Sequence, residues 1–451
     1  MNIQNLENKN VKIIFLLLLL LISFSRSPFL FLEGRFIGEE AVHFFKYSYF
    51  NEWYKTLFYI EGISGYYYLT ANINAIFANL LPISKAPLAT VYGSLIILFL
   101  IFLIIFNTSS FLFKNIIDKY LGCSIVLFSP PFVAEVWLNS INTQVYLGIL
   151  TIIILFIDFK KNENKVIDKL TPLILIMNGL SGLYSCVVTP FFLLKYFIKK
   201  NKKDLINFFS LLLCCFVQVS IVIYSKLSKI LWPGHLQVFQ FEELLNFVYN
   251  AIIKTILGRE FTLGIINSLG IKNTIIFFSV FLLIFIFLIY YFYKKKFLRF
   301  DYVFFILILT FITMAVFVMY GNDGVYAGGR YSVINGTILL FLILNLKNSF
   351  QNLILKNLMY VFLFLNLFIG LNEFFPKKEF DKKLIKCIEC PKWNDEIQKW
   401  NDNNKEYMIK LWPYSKPDFT DQKWMLDLKD SKMRTLQEYI NPQKLLNNKY
   451  N

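Results

Sequence analysis

The sequence predicts an all-α fold threaded repeatedly through a membrane, and three observations carry that reading. Apolar residues make up 56% of the 451, with 50 phenylalanines and a mean hydropathy of +0.53, more than a soluble core of that size can hide. Apolar runs long enough to cross a bilayer recur along the chain. Lysines gather in short linkers between them, KKNENKVIDK (160–169), KKNKK (199–203) and KKK (294–296), as the positive-inside rule requires of a cytoplasmic face.

The first run, after Lys9 and Lys12, is expected to remain attached as a span with the N-terminus cytoplasmic. With this first run at 12–32, those at 87–109, 120–137, 143–158, 204–225, 272–293, 301–320, 330–346 and 353–372 read as nine crossings. Residues 170–198 have lysines on both sides, yet as one helix they reach only roughly 44 Å. They read as two half-helices meeting at NGLSGLYS, and irregular backbone at that depth implies a protein-lined or wet cavity. The total is about eleven spans. Residues 1–375 then form the transmembrane domain, with a first outer loop at 33–86 carrying helices that lie in the interface and a long outer loop at 226–271. Residues 376–451 form a small outer tail or cap holding four of the seven tryptophans, Trp393, Trp400, Trp412 and Trp424. Cys387 and Cys390, three apart in that tail, are placed to form a disulfide in an oxidising compartment.

The net charge of +16 does not point to nucleic acid, because the lysines sit in linkers and no basic soluble domain carries them. Soluble-enzyme signatures are missing too: there is no P-loop, GxGxxG or HExxH, and the chain has two histidines. The expected location is a multi-pass protein of a bacterial inner (cytoplasmic) membrane, with the C-terminus outside.

Chemistry concentrates where the first span ends. EGRFIGEEAVHFF (33–45) places Glu39, Glu40 and His43 within five residues. If Glu39 opens a helix, His43 lies three and four residues on, beside both carboxylates. At a membrane surface such carboxylates can act as general base toward a hydroxyl, or hold a divalent cation, magnesium or manganese, that neutralises a leaving phosphate.

These residues carry a resemblance. The run RSP (26–28), EGRFIGEE and GYYYLTANINAIFANLLP, with the later EVWLNSINTQ, NGLSGLYSCVVTPF, GGRY, WNDEIQKW and LWP, resembles GT-C fold membrane glycosyltransferases. The resemblance implies a GT-C-like architecture and inverting transfer of a sugar from a polyprenyl-phosphate donor to a glycan or lipid acceptor on the outer face. Glu40 or Glu39 would serve as base or metal ligand. A polysaccharide polymerase or ligase, or a transporter or flippase of lipid-linked oligosaccharide, is the alternative.

Arginine binds phosphate with a planar fork that lysine lacks. Arg26, Arg259 and Arg330 fall on the expected outer side and are the candidate phosphate ligands. Arg26, beside Pro28, reads either as an end anchor or as a pocket residue facing Glu39. Arg330 follows Gly328 and Gly329, which let backbone or ligand approach closely. His43, Glu135, His235 and Tyr331 are the candidate substrate contacts; Glu135 lies at the end of a short span, where a carboxylate usually has a partner or faces water.

Overall fold

The computed structural model describes residues 7–62, 64–130, 134–228, 248–295, 300–319, 330–375, 390–412 and 425–433. They are mostly helical. Helix α1 (Lys9–Arg26) and the short α2 (Pro28–Leu32) lead into the first loop, which holds a π-helical turn (Glu40–Phe45), α3 (Lys46–Phe50), α4 (Trp53–Leu57) and α5 (Leu69–Leu80). There follow α6 (Pro87–Asn107), α7 (Ile116–Phe128), α8 (Thr143–Leu155), α9 (Lys165–Gly179), α10 (Tyr184–Lys199) and α11 (Lys202–Leu227). A second π-helical turn (Val248–Ile253) precedes α12 (Lys254–Leu257), α13 (Arg259–Leu269), α14 (Ile271–Lys294), α15 (Tyr302–Met319), α16 (Arg330–Ser349) and α17 (Leu353–Phe374). The tail adds α18 (Trp393–Asp402) and a two-stranded antiparallel ribbon, β1 (Ile409–Lys410) and β2 (Met425–Leu426).

Among the described residues four helical segments are long and apolar enough to cross a membrane: Ile83–Asn107, Lys202–Leu227, Ser332–Ser349 and Leu353–Phe374. Two apolar helices, Thr143–Leu155 and Tyr302–Val318, are shorter. The chain is therefore an all-α membrane protein by its helices. Burial sorts them further. Every residue of α8 is buried, packed by α6, α9, α10 and α16, as befits a helix apolar on all sides. By contrast α11 and α17 leave Leu213, Phe216, Ile223, Val361, Phe364 and Phe368 exposed, a surface suited to hydrocarbon rather than water.

Residues 170–198 do break into two helices, with the turn at Leu180–Leu183. Gly182 supplies that turn with φ +129 in the left-handed region, and any side chain there would strike Gln144. At the end of the bundle away from the first loop, buried ion pairs join helices. Lys195 meets Asp204 at 2.8 Å and also donates to the Ile157 carbonyl, while Lys347 meets Asp118, which also accepts from Asn348. At the near end the tail and first loop share one core. Phe36, Val42 and Phe45 pack with Trp393, Ile397, Trp400 and Leu411, so the tail is part of the loop's own structure.

Candidate functional site

Four glycine and proline signals steer the chain from α2 into the loop. Pro28 starts α2, and Gly34 turns it at φ +73 so closely against α6 that a β-carbon would lie 2.9 Å from the Leu88 nitrogen. Arg35 is thereby turned inward, 4% exposed, its guanidinium 4.7 Å from the centre of the Trp412 ring. Ile37 bridges Trp412 and Gly38 N–H donates to the Trp412 carbonyl at 3.0 Å, so the tail grips the residue before the acidic pair. Pro87 then opens α6 beneath.

The expected single face of two carboxylates and an imidazole is replaced by a division of labour. The turn at Glu40–Phe45 is π-helical, a rare geometry that shifts side chains off the ordinary helical rows and recurs at functional sites. Glu40 is 1% exposed, and its carboxylate accepts from Ile37 N–H at 2.9 Å and from Ser140 N–H and Oγ–H at 2.6 and 2.7 Å. Burial raises its pKa above the ordinary carboxyl value, against those hydrogen bonds and the Arg35 charge. Burial also lowers Arg35 to about 10, with Glu40 opposing. Glu40 thus ties the first loop to the turn at 134–142.

Glu39, half-buried, belongs to another group. Its charge and that of Glu61 reach Tyr68, whose pKa is raised first by burial, then by Tyr66, then by these two carboxylates. His43 Nδ1 stands 3.9 Å from Glu61 Oε1, and the other Glu61 oxygen accepts from Ser64 N–H at 2.8 Å and from its hydroxyl. Tyr59, stacked on Tyr47 with ring centres 3.9 Å apart, is raised by burial and by Glu61. Both phenols therefore stay protonated at neutral pH.

The hairpin tip holds this group from below. Leu69 N–H donates to the Leu180 carbonyl at 2.9 Å, and Thr70 N–H to Ser181 Oγ at 3.1 Å. Buried Gln218 of α11 pairs with both backbone groups of Tyr67 and donates to the Gly179 carbonyl. Gln144 donates to the Tyr66 hydroxyl at 3.2 Å. The result is a set of carboxylate, imidazole and phenol groups standing on the α9–α10 break.

Compared with protein-family models, curated proteins and solved structures, the chain matches none.

Of the candidate cations, Arg26 packs on the 134–142 turn. Arg26, 6% exposed, lies 4.8 Å from the Trp137 ring centre and 4.4 Å from that of Phe374. Glu135, half-buried on the same turn, accepts at its backbone carbonyl from Asn139 and Asn142. Arg259 starts α13, and its backbone N–H donates to Glu373. Lys254, 2% exposed, is lowered to about 8 by burial and then by Arg259, with Glu373 opposing. His235 and the side chains of Arg330 and Tyr331 lie outside the described residues, although Arg330 opens α16.

Among the described residues no three acidic, histidine or cysteine side chains gather as ligands, and both Glu40 oxygens already accept hydrogen bonds. Cys390 is disulfide-bonded; Cys387 lies outside the described residues. Sequence reasoning singled out Glu39, Glu40 and His43 but missed Glu61, Ser140, Tyr68 and Lys254. Glu61 left a faint signal in EGIS, a carboxylate three residues before a serine whose N–H it accepts.

Proposed function

We propose that the protein is a multi-pass membrane glycosyltransferase of GT-C type, moving a sugar from a polyprenyl-phosphate donor to a glycan or lipid acceptor on the extracytoplasmic face. The observation that carries this reading is the half-buried Glu39, whose charge reaches Tyr68 together with that of Glu61, in a first loop braced by the hairpin tip. Glu39, rather than the hydrogen-bonded Glu40, is the base. It takes the proton of the acceptor hydroxyl as that oxygen bonds the anomeric carbon and the bond to phosphate breaks, the phosphate leaving with the electron pair. Configuration inverts. His43 and Glu61 orient the acceptor, and Arg26, with Lys254 and Arg259 behind it, stabilises the phosphate charge. The first loop and tail face the extracytoplasmic side and the lysine linkers the cytoplasm, giving about eleven crossings.

The test is transfer by the purified protein in liposomes supplied with polyprenyl-phosphate sugars. Glu39→Gln is expected to lower transfer by about 100-fold or more with helical content and melting temperature unchanged. Full activity in that variant would remove the base and with it the reaction. Loss in Arg259→Ala with Glu39→Gln still active would favour the polymerase or ligase instead.

A further inference from the structure

On its tail side the first loop holds a buried cation whose donors are not all spent. Arg35 is 4% exposed and stays charged at neutral pH, since burial, opposed by Glu40, lowers it only to about 10. Its guanidinium lies over the Trp412 ring, 4.7 Å from the centre. Such a contact covers the flat face and leaves the N–H fork at the edge free to bond. Nη1 and Nη2 are both buried and have no hydrogen-bond acceptor among the described residues.

Glu40 does not supply that acceptor. Its charge acts on Arg35, but its carboxylate is taken by Ile37 N–H and by the N–H and Oγ–H of Ser140. The indole Nε1–H of Trp412, itself 3% exposed, also has no acceptor among the described residues. Gly34, the residue before Arg35, rests on the first turn of α6, where a β-carbon would lie 2.9 Å from the Leu88 nitrogen. That N-terminus has no side-chain cap, so the positive end of a 21-residue helix stands beside the arginine's backbone. Packing on Trp412 explains the stack and leaves the unmet donors unexplained. Buried donors without acceptors are rare, and a buried charge without them is costly.

The geometry points to a carboxylate-binding site at Arg35 and Trp412: the guanidinium edge holds the two carboxylate oxygens and the indole N–H adds a further donor. A carboxylate matches in shape, being flat like the fork that receives it. It also matches in charge, because one arginine opposed by Glu40 balances a single negative charge, whereas a phosphate monoester brings roughly two. Ile37 and Gly38 hold Trp412 by one bridge and one backbone hydrogen bond, and the carboxylate enters as this contact parts. The ligand's identity as the acidic sugar of an acceptor glycan rests on the proposed transferase reading, in which Arg35 lies four residues before the base Glu39 on the same loop. Recognition of the carboxylate does not need that reading and is testable without turnover.

Glucuronate, glucose and glucose 1-phosphate would each be titrated into the full-length protein in detergent micelles, with binding followed by calorimetry and by the rise in melting temperature. Glucuronate is expected to bind at least about tenfold more tightly than either of the others. Arg35→Lys keeps the charge but loses the fork and should abolish that preference. Trp412→Phe keeps a ring beneath Arg35, removes the indole N–H and should weaken glucuronate by about tenfold. Should Arg35→Lys fail to fold, Trp412→Phe alone decides. Equal binding of glucose or of glucose 1-phosphate, no binding of glucuronate, or unchanged binding in Trp412→Phe overturns the assignment. Glu39→Gln separates the two proposals: it should bind glucuronate as the wild type does. If the wild type binds glucuronate with this selectivity yet transfers no sugar, the carboxylate site stands and the transferase reading falls. Transfer without glucuronate binding does the reverse.

Discussion

Glu39 and Glu40 are neighbours in sequence and opposites in environment, and the difference sets a pH-dependent prediction. Burial raises the Glu40 pKa in the folded protein, so the native state holds its proton to higher pH than the unfolded chain. Its contribution to stability is then fully present below the ordinary carboxyl value of 4.5 and declines as pH rises through the folded value. Glu40→Gln cannot titrate, and its amide turns a donor toward Ile37 or Ser140, costing about 1–3 kcal/mol. Melting temperatures of the two proteins should differ most at acid pH and converge toward neutrality. A gap that widens as pH rises would contradict the burial argument. The acidic pair was legible in the sequence because it stands alone after an apolar run. Which carboxylate is buried was not, since a serine 100 residues away decides it.

At the scale of elements, apolar runs and lysine linkers marked the long apolar helices, because length and charge act locally, but not the short α12, α13 and α18. Even the broken hairpin followed from two lysine clusters too close together for a full return crossing. The π-helical turn did not, since EAVHFF fits an ordinary helix and only the tertiary ties of Glu40 and His43 explain the wider winding. Close helix contacts were equally hidden. Gly370 lies in a run of leucines and phenylalanines with nothing to mark it, yet it sets the approach of α17 to α7. Gly370→Ala forces these helices apart, at about 1–3 kcal/mol for an overpacked contact. A lower melting temperature is the expected result. An unchanged melting temperature would show that the contact yields without strain.

Across the whole molecule, the two ends of the bundle are built on different principles. The far end is clamped by buried ion pairs between helices, Lys195 with Asp204 and Lys347 with Asp118. The near end relies on the tail, which sequence composition marked as a small cap or a polar appendage rich in tryptophan. Trp393 stands edge-on to Phe36 at 5.1 Å and Phe45 at 6.1 Å, and its indole N–H donates to the Ile83 carbonyl at 2.7 Å. Lys46 in turn donates to the Lys432 carbonyl at 2.8 Å. One aromatic side chain therefore couples the loop bearing Glu39 to the last turn before α6. Trp393→Ala removes that coupling at about 3–5 kcal/mol, while the helices of the far end keep their own contacts. Trypsin cleavage at the exposed Lys55 should then accelerate without a comparable loss of helical content, because the loop opens locally. Cleavage at the wild-type rate would mean that the loop holds its shape unaided and that the tail is no part of the site's support.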